Sequence, residues 1–329
     1  MFSFNAAGYS SINPTTSLPN LIQTAFNQSL NAVAINPFKS EVVLAGENIL
    51  SFVDINAPNQ PEIFNMGNIK ISSPLLYNPQ GSLLLIVECL DLDCFMNDLN
   101  ILNISTKTIQ SRCKNVSVAN NILFNADGTK VVMRNVIGNN PPIVTDIIWD
   151  IYTNQQTIVS DPKANGIMYI SGGRFNTFIM NSPDNTVIWD LTNPDQKIKL
   201  NIAPGNQTVF GNNRTQLAFS SNMKLDPIMY VRNGRQTTSI SFNDGIVSTI
   251  AYCPKIKKFP FTIDKTSWSN ADSINILDPE TCEIKTLYNI SYNISYNFPT
   301  FSSDGCKLFV LIDQDSKNIQ FSLINFNQK

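Results

Sequence analysis

Histidine is absent from all 329 residues of this chain. That absence removes the usual general base near neutral pH, the Ser-His and Cys-His nucleophile pairs, and the commonest metal ligand. Carboxylate pairs are the main acid–base chemistry left, as in glycosidases. Their spacing marks no such pair: Asp184 and Asp190 read as a turn and a strand end. Charge is scarce as well. Only 15% of residues are charged and the formal net charge is −2, so no global field draws the chain to nucleic acid or an anionic membrane. The longest apolar runs, such as Ser82–Val87 and Leu308–Ile312, fall far short of the ~20 residues of a bilayer-spanning helix. Met1–Ser10 lacks the basic start and continuous apolar stretch of a secretory signal. A cytoplasmic protein with no membrane insertion is the expectation. A glycine-rich phosphate loop is also missing, since Gly172-Gly173 belongs to a strand turn with no helix after it.

Six cysteines (Cys89, Cys94, Cys113, Cys253, Cys282, Cys306) are spread through a long chain instead of being packed as a disulfide scaffold, and they read as mostly free, buried thiols. Seven N-x-S/T sequons stand at Asn27, Asn103, Asn115, Asn206, Asn213, Asn289 and Asn293. Asparagine is so abundant here that composition accounts for them. The stretch Cys89–Asp98 concentrates two thiols and three carboxylates, yet Phe95 and Met96 stand where a calcium loop needs an oxygen ligand and a glycine. Nor is the Cys-x4-Cys spacing a standard zinc arrangement. No metal and no cofactor is expected.

What the chain does have is a repeat. Leu123-Phe124-Asn125-Ala126-Asp127-Gly128 followed by Thr129-Lys130-Val131-Val132-Met133 reads as a strand, a tight Asp-Gly turn and a second apolar strand. Near-copies surround Gly81, Arg214 and Gly305, and weaker ones begin at Ala34, Met168 and Ala251. The residue just before each turn falls at 35, 77, 124, 169, 210, 252 and 301, with spacings of 42, 47, 45, 41, 42 and 49. Most turn pairs are followed by a third strand ending in an acidic or polar residue, as in Ile49–Ile55, Asp98–Asn103, Asp146–Ile151, Asn185–Leu191 and Ser273–Asp278. Two of these carry a literal Trp-Asp, Trp149-Asp150 and Trp189-Asp190.

In period, turn chemistry and Trp-Asp dipeptides the chain resembles the WD40-type β-propellers over nearly its whole length. It departs from them in one respect: such repeats often carry a Gly-His dipeptide whose His bonds to the Trp and a turn Asp, and that set cannot form here. The repeats are therefore degenerate. The resulting expectation is an all-β, seven-bladed propeller of four-stranded antiparallel blades, one domain over residues 1–329. Residues 1–29 precede the first repeat, and the seventh repeat supplies only three strands before the chain stops. Leu21–Phe26 reads as a short strand, so it is expected to complete the last blade and close the ring, covering an otherwise open edge.

Function is carried over by analogy with the fold. The resemblance implies a non-catalytic scaffold, not an enzyme, that binds protein partners through the propeller's faces and loops. In this reading Trp149, Asp150, Trp189 and Asp190 are structural. The one compact basic cluster, Lys255, Lys257 and Lys258, with Arg232 and Arg235 in the preceding repeat, is the candidate binding patch for RNA phosphates or an acidic peptide. Two other readings remain open: a subunit of a ribonucleoprotein or other large assembly that touches RNA through that edge, and a carboxylate-dependent enzyme working in the central funnel.

Overall fold

The computed structural model describes residues 16–17, 30–58, 60–91, 94, 96–125, 127–137, 143–158, 177–182, 185–190, 193–200, 205–210, 216–221, 228–233, 236–241, 245–264, 273–289, 300–303, 305–315 and 318–326. Among these residues there is no helix, and the strands form seven sheets, six of four strands and one of three. No helix of the described residues is long and apolar enough to cross a membrane.

Middle strands such as Glu41–Ala45 and Leu83–Cys89 are nearly continuous apolar runs because both their faces are buried. Outer strands such as Glu62–Asn65 and Gln156–Ile158 have water beside them and are mostly or wholly exposed. Each sheet follows the chain from one edge to the other. The first runs Ala32–Ile35, Glu41–Ala45, Ile49–Asp54, Glu62–Asn65; the second Ile71–Tyr77, Leu83–Cys89, Asn97–Asn103, Thr108–Val116; the third Val118–Phe124, Lys130–Ile137, Ile143–Asp150, Gln156–Ile158. The fourth has Thr177–Ser182, Asn185–Asp190 and Asn193–Leu200. The fifth runs Gly205–Phe210, Gln216–Ser221, Ile228–Asn233, Gln236–Ser241; the sixth Ile246–Ile250, Phe259–Asp264, Ser273–Leu277, Ile284–Asn289. The seventh is assembled from both ends of the chain. Thr300–Phe301, Lys307–Asp315 and Asn318–Asn325 supply three strands, and Thr16–Ser17 is the fourth, in antiparallel register Thr16 to Phe321 and Ser17 to Gln320. The expected strand at Leu21–Phe26 lies outside the described residues, as does the repeat marker at 169.

The chain falls into two compact units, Ala25–Gly205 and Met1–Thr24 with Asn206–Lys329. In the first, Val43, Leu50 and Phe52 of the first sheet pack on Leu75, Leu84 and Ile86 of the second. Leu85, Leu99 and Ile101 of the second then meet Val131, Met133 and Trp149 of the third. In the other unit Ala218 and Val231 of the fifth sheet pack with Phe259, Phe261 and Leu277 of the sixth, and Ile274 and Ile276 of the sixth with Leu308, Ile324 and Phe326 of the seventh. Each fully buried Val, Leu, Ile, Met or Phe side chain among these contributes ~1.5–3 kcal/mol relative to exposure.

The reading of the cysteines as mostly free thiols is corrected by the structure. Cys89 is bonded to Cys94 and Cys253 to Cys306, leaving Cys113 and Cys282 free. Proximity, invisible in linear spacing, decides this: Cys253 and Cys306 occupy the first turns of the sixth and seventh sheets, which lie side by side although 53 residues separate the two cysteines. A crosslink closing a loop of that length stabilises by about 4 kcal/mol in the chain-entropy account.

The turns between first and second strands also tie sheets together. Asn36, Asn78 and Asn125 each follow a first strand, and their side-chain oxygens accept turn amides: Phe38 and Lys39 for Asn36, Ser82 and Leu83 for Asn78, Lys130 for Asn125. Ser302 does the same for Lys307 in the seventh sheet. Among the described residues, the turns at Gly81, Gly128 and Gly305 nest against the turn before them. The Gly81 carbonyl accepts from Asn36 Nδ2 at 3.3 Å, and a methyl group on Gly81 would lie 2.8 Å from Asn36 Oδ1. A methyl on Gly128 would strike Asn78 and Gln80, and one on Gly305 the Tyr252 carbonyl. These glycines have φ near +69°, where side chains are disfavoured in any case.

Two outcomes are expected. Deleting residues 1–29 leaves Asn318–Asn325 as an unpaired outer edge, so light scattering should show aggregation or calorimetry a lower, broader melting transition; a monomer melting like the full chain would contradict this role. Gly67 has φ +68° but nothing within 4 Å of an added methyl, so Gly67→Ala should cost only the conformational ~1–2 kcal/mol. Gly305→Ala adds a backbone collision and should cost ~1–3 kcal/mol more in denaturant titration.

Candidate docking surface

In the second, third and sixth sheets the turn after the third strand is organised by the acidic or polar residue noticed in the sequence. Asp150 accepts the amides of Tyr152 and Thr153, Asn103 those of Ser105 and Thr106, and Asp278 those of Glu280 and Thr281. Lys107, Asn154 and Cys282 close these three turns with φ of 54°, 58° and 60°. In the first three sheets backbone bonds hold the turn after the third strand beside the first turn of the same sheet: Ile55 donates to Ser40, Ile104 to Ser82, and Ile151 to Thr129. The nested first turns of sheets one, two and three and the adjoining later turns thus form one continuous end of the Ala25–Gly205 unit.

Two aromatic side chains stand out from that end. Phe38 is 72% exposed and Tyr152 68%, while the backbone amide of each is held by a neighbouring Asn or Asp side chain. Neither was singled out from the sequence. The available signal was one aromatic residue inside a turn rich in polar residues, Asn36-Pro37-Phe38-Lys39-Ser40 and Asp150-Ile151-Tyr152-Thr153-Asn154.

Trp149 is fully buried among second-sheet and third-sheet side chains, with its indole N–H donating to Asn154 Oδ1 at 3.0 Å. Asp150 pairs with Lys130 at 2.7 Å, and that ammonium together with the Thr153 amide holds its carboxyl well below the usual carboxylate range. Trp189 and Asp190 end the second described strand of the fourth sheet, opposite Phe178 and Thr177.

Within the basic cluster, Lys255 and Lys257 are exposed in the turn before Phe259, whereas the Lys258 ammonium lies 3.1 Å from Asp278. Lys258 and Asp278 repeat in the sixth sheet the arrangement of Lys130 and Asp150 in the third. Partial burial opposes ionisation of Asp278, but the Glu280 amide, Lys258 and the Thr281 amide outweigh it and keep its pKa low. Arg232 lies on the third strand of the fifth sheet, opposite Leu217 and Thr237; Arg235 is outside the described residues. In the acidic stretch Cys89–Asp98, both thiols are consumed by their disulfide, and Asp98 accepts the Asn115 amide.

Among the described residues one ion pair is buried. Arg134 and Asp146 face each other across neighbouring strands with Nε to Oδ1 at 3.5 Å and side chains 5% and 3% exposed. Burial pushes the Asp146 carboxyl up to about 6, against the opposing pull of Arg134. Perturbed groups of this kind gather at functional sites but also in structural ion pairs; here the pair sits inside a sheet, away from the exposed turns. Because the native pKa exceeds the ordinary 3.8, stability linked to this group is fully present below 3.8 and is lost as pH rises through about 6. Asp146→Asn cannot titrate. Its Tm relative to the wild type should therefore improve between about pH 4 and about pH 7, and a difference that stays flat across that interval would refute the assignment.

No family model and no curated protein matches the sequence. Solved structures do match the fold. An oligogalacturonate lyase in complex with manganese is similar with a TM-score of 0.66 and 12% identity, covering 89% of this chain and 88% of that one. A chain of the mitotic checkpoint complex is similar with a TM-score of 0.64 and 13% identity, covering 98% and 94%. The expectation that the chain is not an enzyme is corrected by the first of these, because an enzyme shares the fold and the architecture therefore excludes no catalysis. At these identities the likeness establishes one thing: the chain has an all-β fold of the β-propeller type.

Proposed function

We propose that the protein is a macromolecular interaction scaffold that binds a protein partner through the turn end of its first three sheets, with Phe38 and Tyr152 as the anchoring side chains. In this reading the seven sheets are the blades of one propeller, and Thr16–Ser17 supplies the fourth strand of the last. The observation that carries the reading is the pairing of rigidity with exposed aromatic surface. The turns are fixed by Asn36, Asn78, Asn125 and Asp150 and by glycine nesting, yet two of them hold large apolar rings in water. Aromatic anchors are enriched in protein interfaces, and a preordered loop loses little entropy when it binds. One structure with this fold comes from a multi-protein complex, which accords with such a role.

The test is a Phe38→Ser, Tyr152→Ser double variant. Both side chains are exposed, so its melting temperature should stay close to that of the wild type. Proteins that co-purify stoichiometrically with the wild type from its own cells should be lost, with a weakening of at least about tenfold for a partner measured by calorimetry. Undiminished binding of those partners, or a wild type that carries none, would overturn the reading.

A further inference from the structure

Disulfides and one sequon converge on a modification that the composition of the chain conceals. Each compact unit contains a disulfide, Cys89–Cys94 in one and Cys253–Cys306 in the other. The Cys253–Cys306 bond is fully buried in the cluster formed by Ile274, Ile276, Leu308 and Phe326. Four of six cysteines are thereby paired, and one of the remaining two, Cys113, is buried. Such bonds form and persist where the surroundings are oxidising, whereas a reducing cytosol keeps thiols free. The same lumenal environment is where N-x-S/T asparagines receive glycans.

The sequons then separate by their place in the fold. Asn103 is committed to a turn: its Oδ1 accepts from the amides of Ser105 and Thr106 and from the Ser105 hydroxyl, and its Nδ2 donates to Gln110. Asn115, in Asn115-Val116-Ser117, is different. It is exposed on the outermost strand of the second sheet, with φ +56°. Its backbone amide donates to Asp98 at 2.9 Å, while Val116 beside it is buried and Ser117 donates its amide to Asn135. The flanking residues are anchored and the Asn115 side chain is left at the surface. Thr108–Val116 pairs through Val116 with Asn97, which adjoins the Cys89–Cys94 loop. That is the end of the sheet opposite the turns carrying Phe38 and Tyr152, so a glycan there leaves those turns open.

We propose that the chain matures in an oxidising compartment and carries an N-linked glycan on Asn115. In the transfer, Nδ2 of Asn115 attacks the anomeric carbon of an oligosaccharide borne on a lipid pyrophosphate. A C–N bond forms, the sugar's C–O bond to pyrophosphate breaks, the lipid pyrophosphate departs, and the amide gives up one proton. This inference is independent of the proposed partner surface.

The test uses full-length protein from the cells that make it, alkylated without reduction, treated with peptide N-glycosidase in heavy-oxygen water, and digested for mass spectrometry. Residue 115 should appear as heavy-oxygen aspartate, and Cys253 and Cys306 should appear in one crosslinked peptide. In the same cells Asn115→Gln and Ser117→Ala should each remove one glycan's mobility shift on a gel. Unmodified asparagine at position 115 in the wild-type peptide would overturn the glycan, and six alkylated cysteines would overturn the compartment; both readings come from the wild type and do not depend on a variant folding.

Discussion

The contact on which the rest of the described structure depends is the nesting of one turn against the next. An asparagine after the first strand folds its side chain back onto the turn amides, and the following sheet's glycine fits against that asparagine with no room for a methyl group. This contact sets the separation and alignment of neighbouring sheets in the Ala25–Gly205 unit, and so decides which apolar side chains interdigitate. In the other unit Gly305 plays the same part against the Tyr252 backbone, and the Cys253–Cys306 bond makes the junction covalent. Backbone rather than a flexible side chain lies opposite that glycine, so an added methyl group there meets a neighbour that cannot swing aside.

A second layer of order comes from acids that do structural work. Asp150 and Asp278 each accept two turn amides and pair with a lysine from the preceding strand. These pairs are partly exposed, where an ion pair alone is worth little, so their main effect is to orient the turn. The arrangement engages Lys258, leaving the basic cluster with two exposed lysines. In the Ala25–Gly205 unit the Asp150 contacts fix the turn that carries the exposed Tyr152, and preorder of this kind is what the proposed anchoring role would draw on.

Much of the fold was legible in linear order. The turn glycines, the 41–49-residue spacing of the repeats and the polar ends of the third strands all report local backbone geometry, which neighbours in sequence dictate. Strand pairs duly flank Gly81, Gly128, Arg214 and Gly305. The buried, space-filling place of Trp149 follows from the same periodicity. The candidate surface was legible only as an aromatic residue within a polar turn, because exposure is a property of packing: Phe38 and Tyr152 resemble core residues until the neighbouring turns are in place.

Sequence alone therefore determined the all-β class, the repeat and its turns, since each depends on residues a few positions apart. Only the tertiary structure decided the rest. Cysteine pairing, the burial of Arg134 against Asp146, the fate of Lys258, and the addition of Thr16–Ser17 to the seventh sheet are contacts between residues brought together by strand pairing and sheet packing. Composition and spacing carry no distance in space, and the chemistry of a thiol, a carboxylate or an exposed ring depends on what lies within a few ångströms of it.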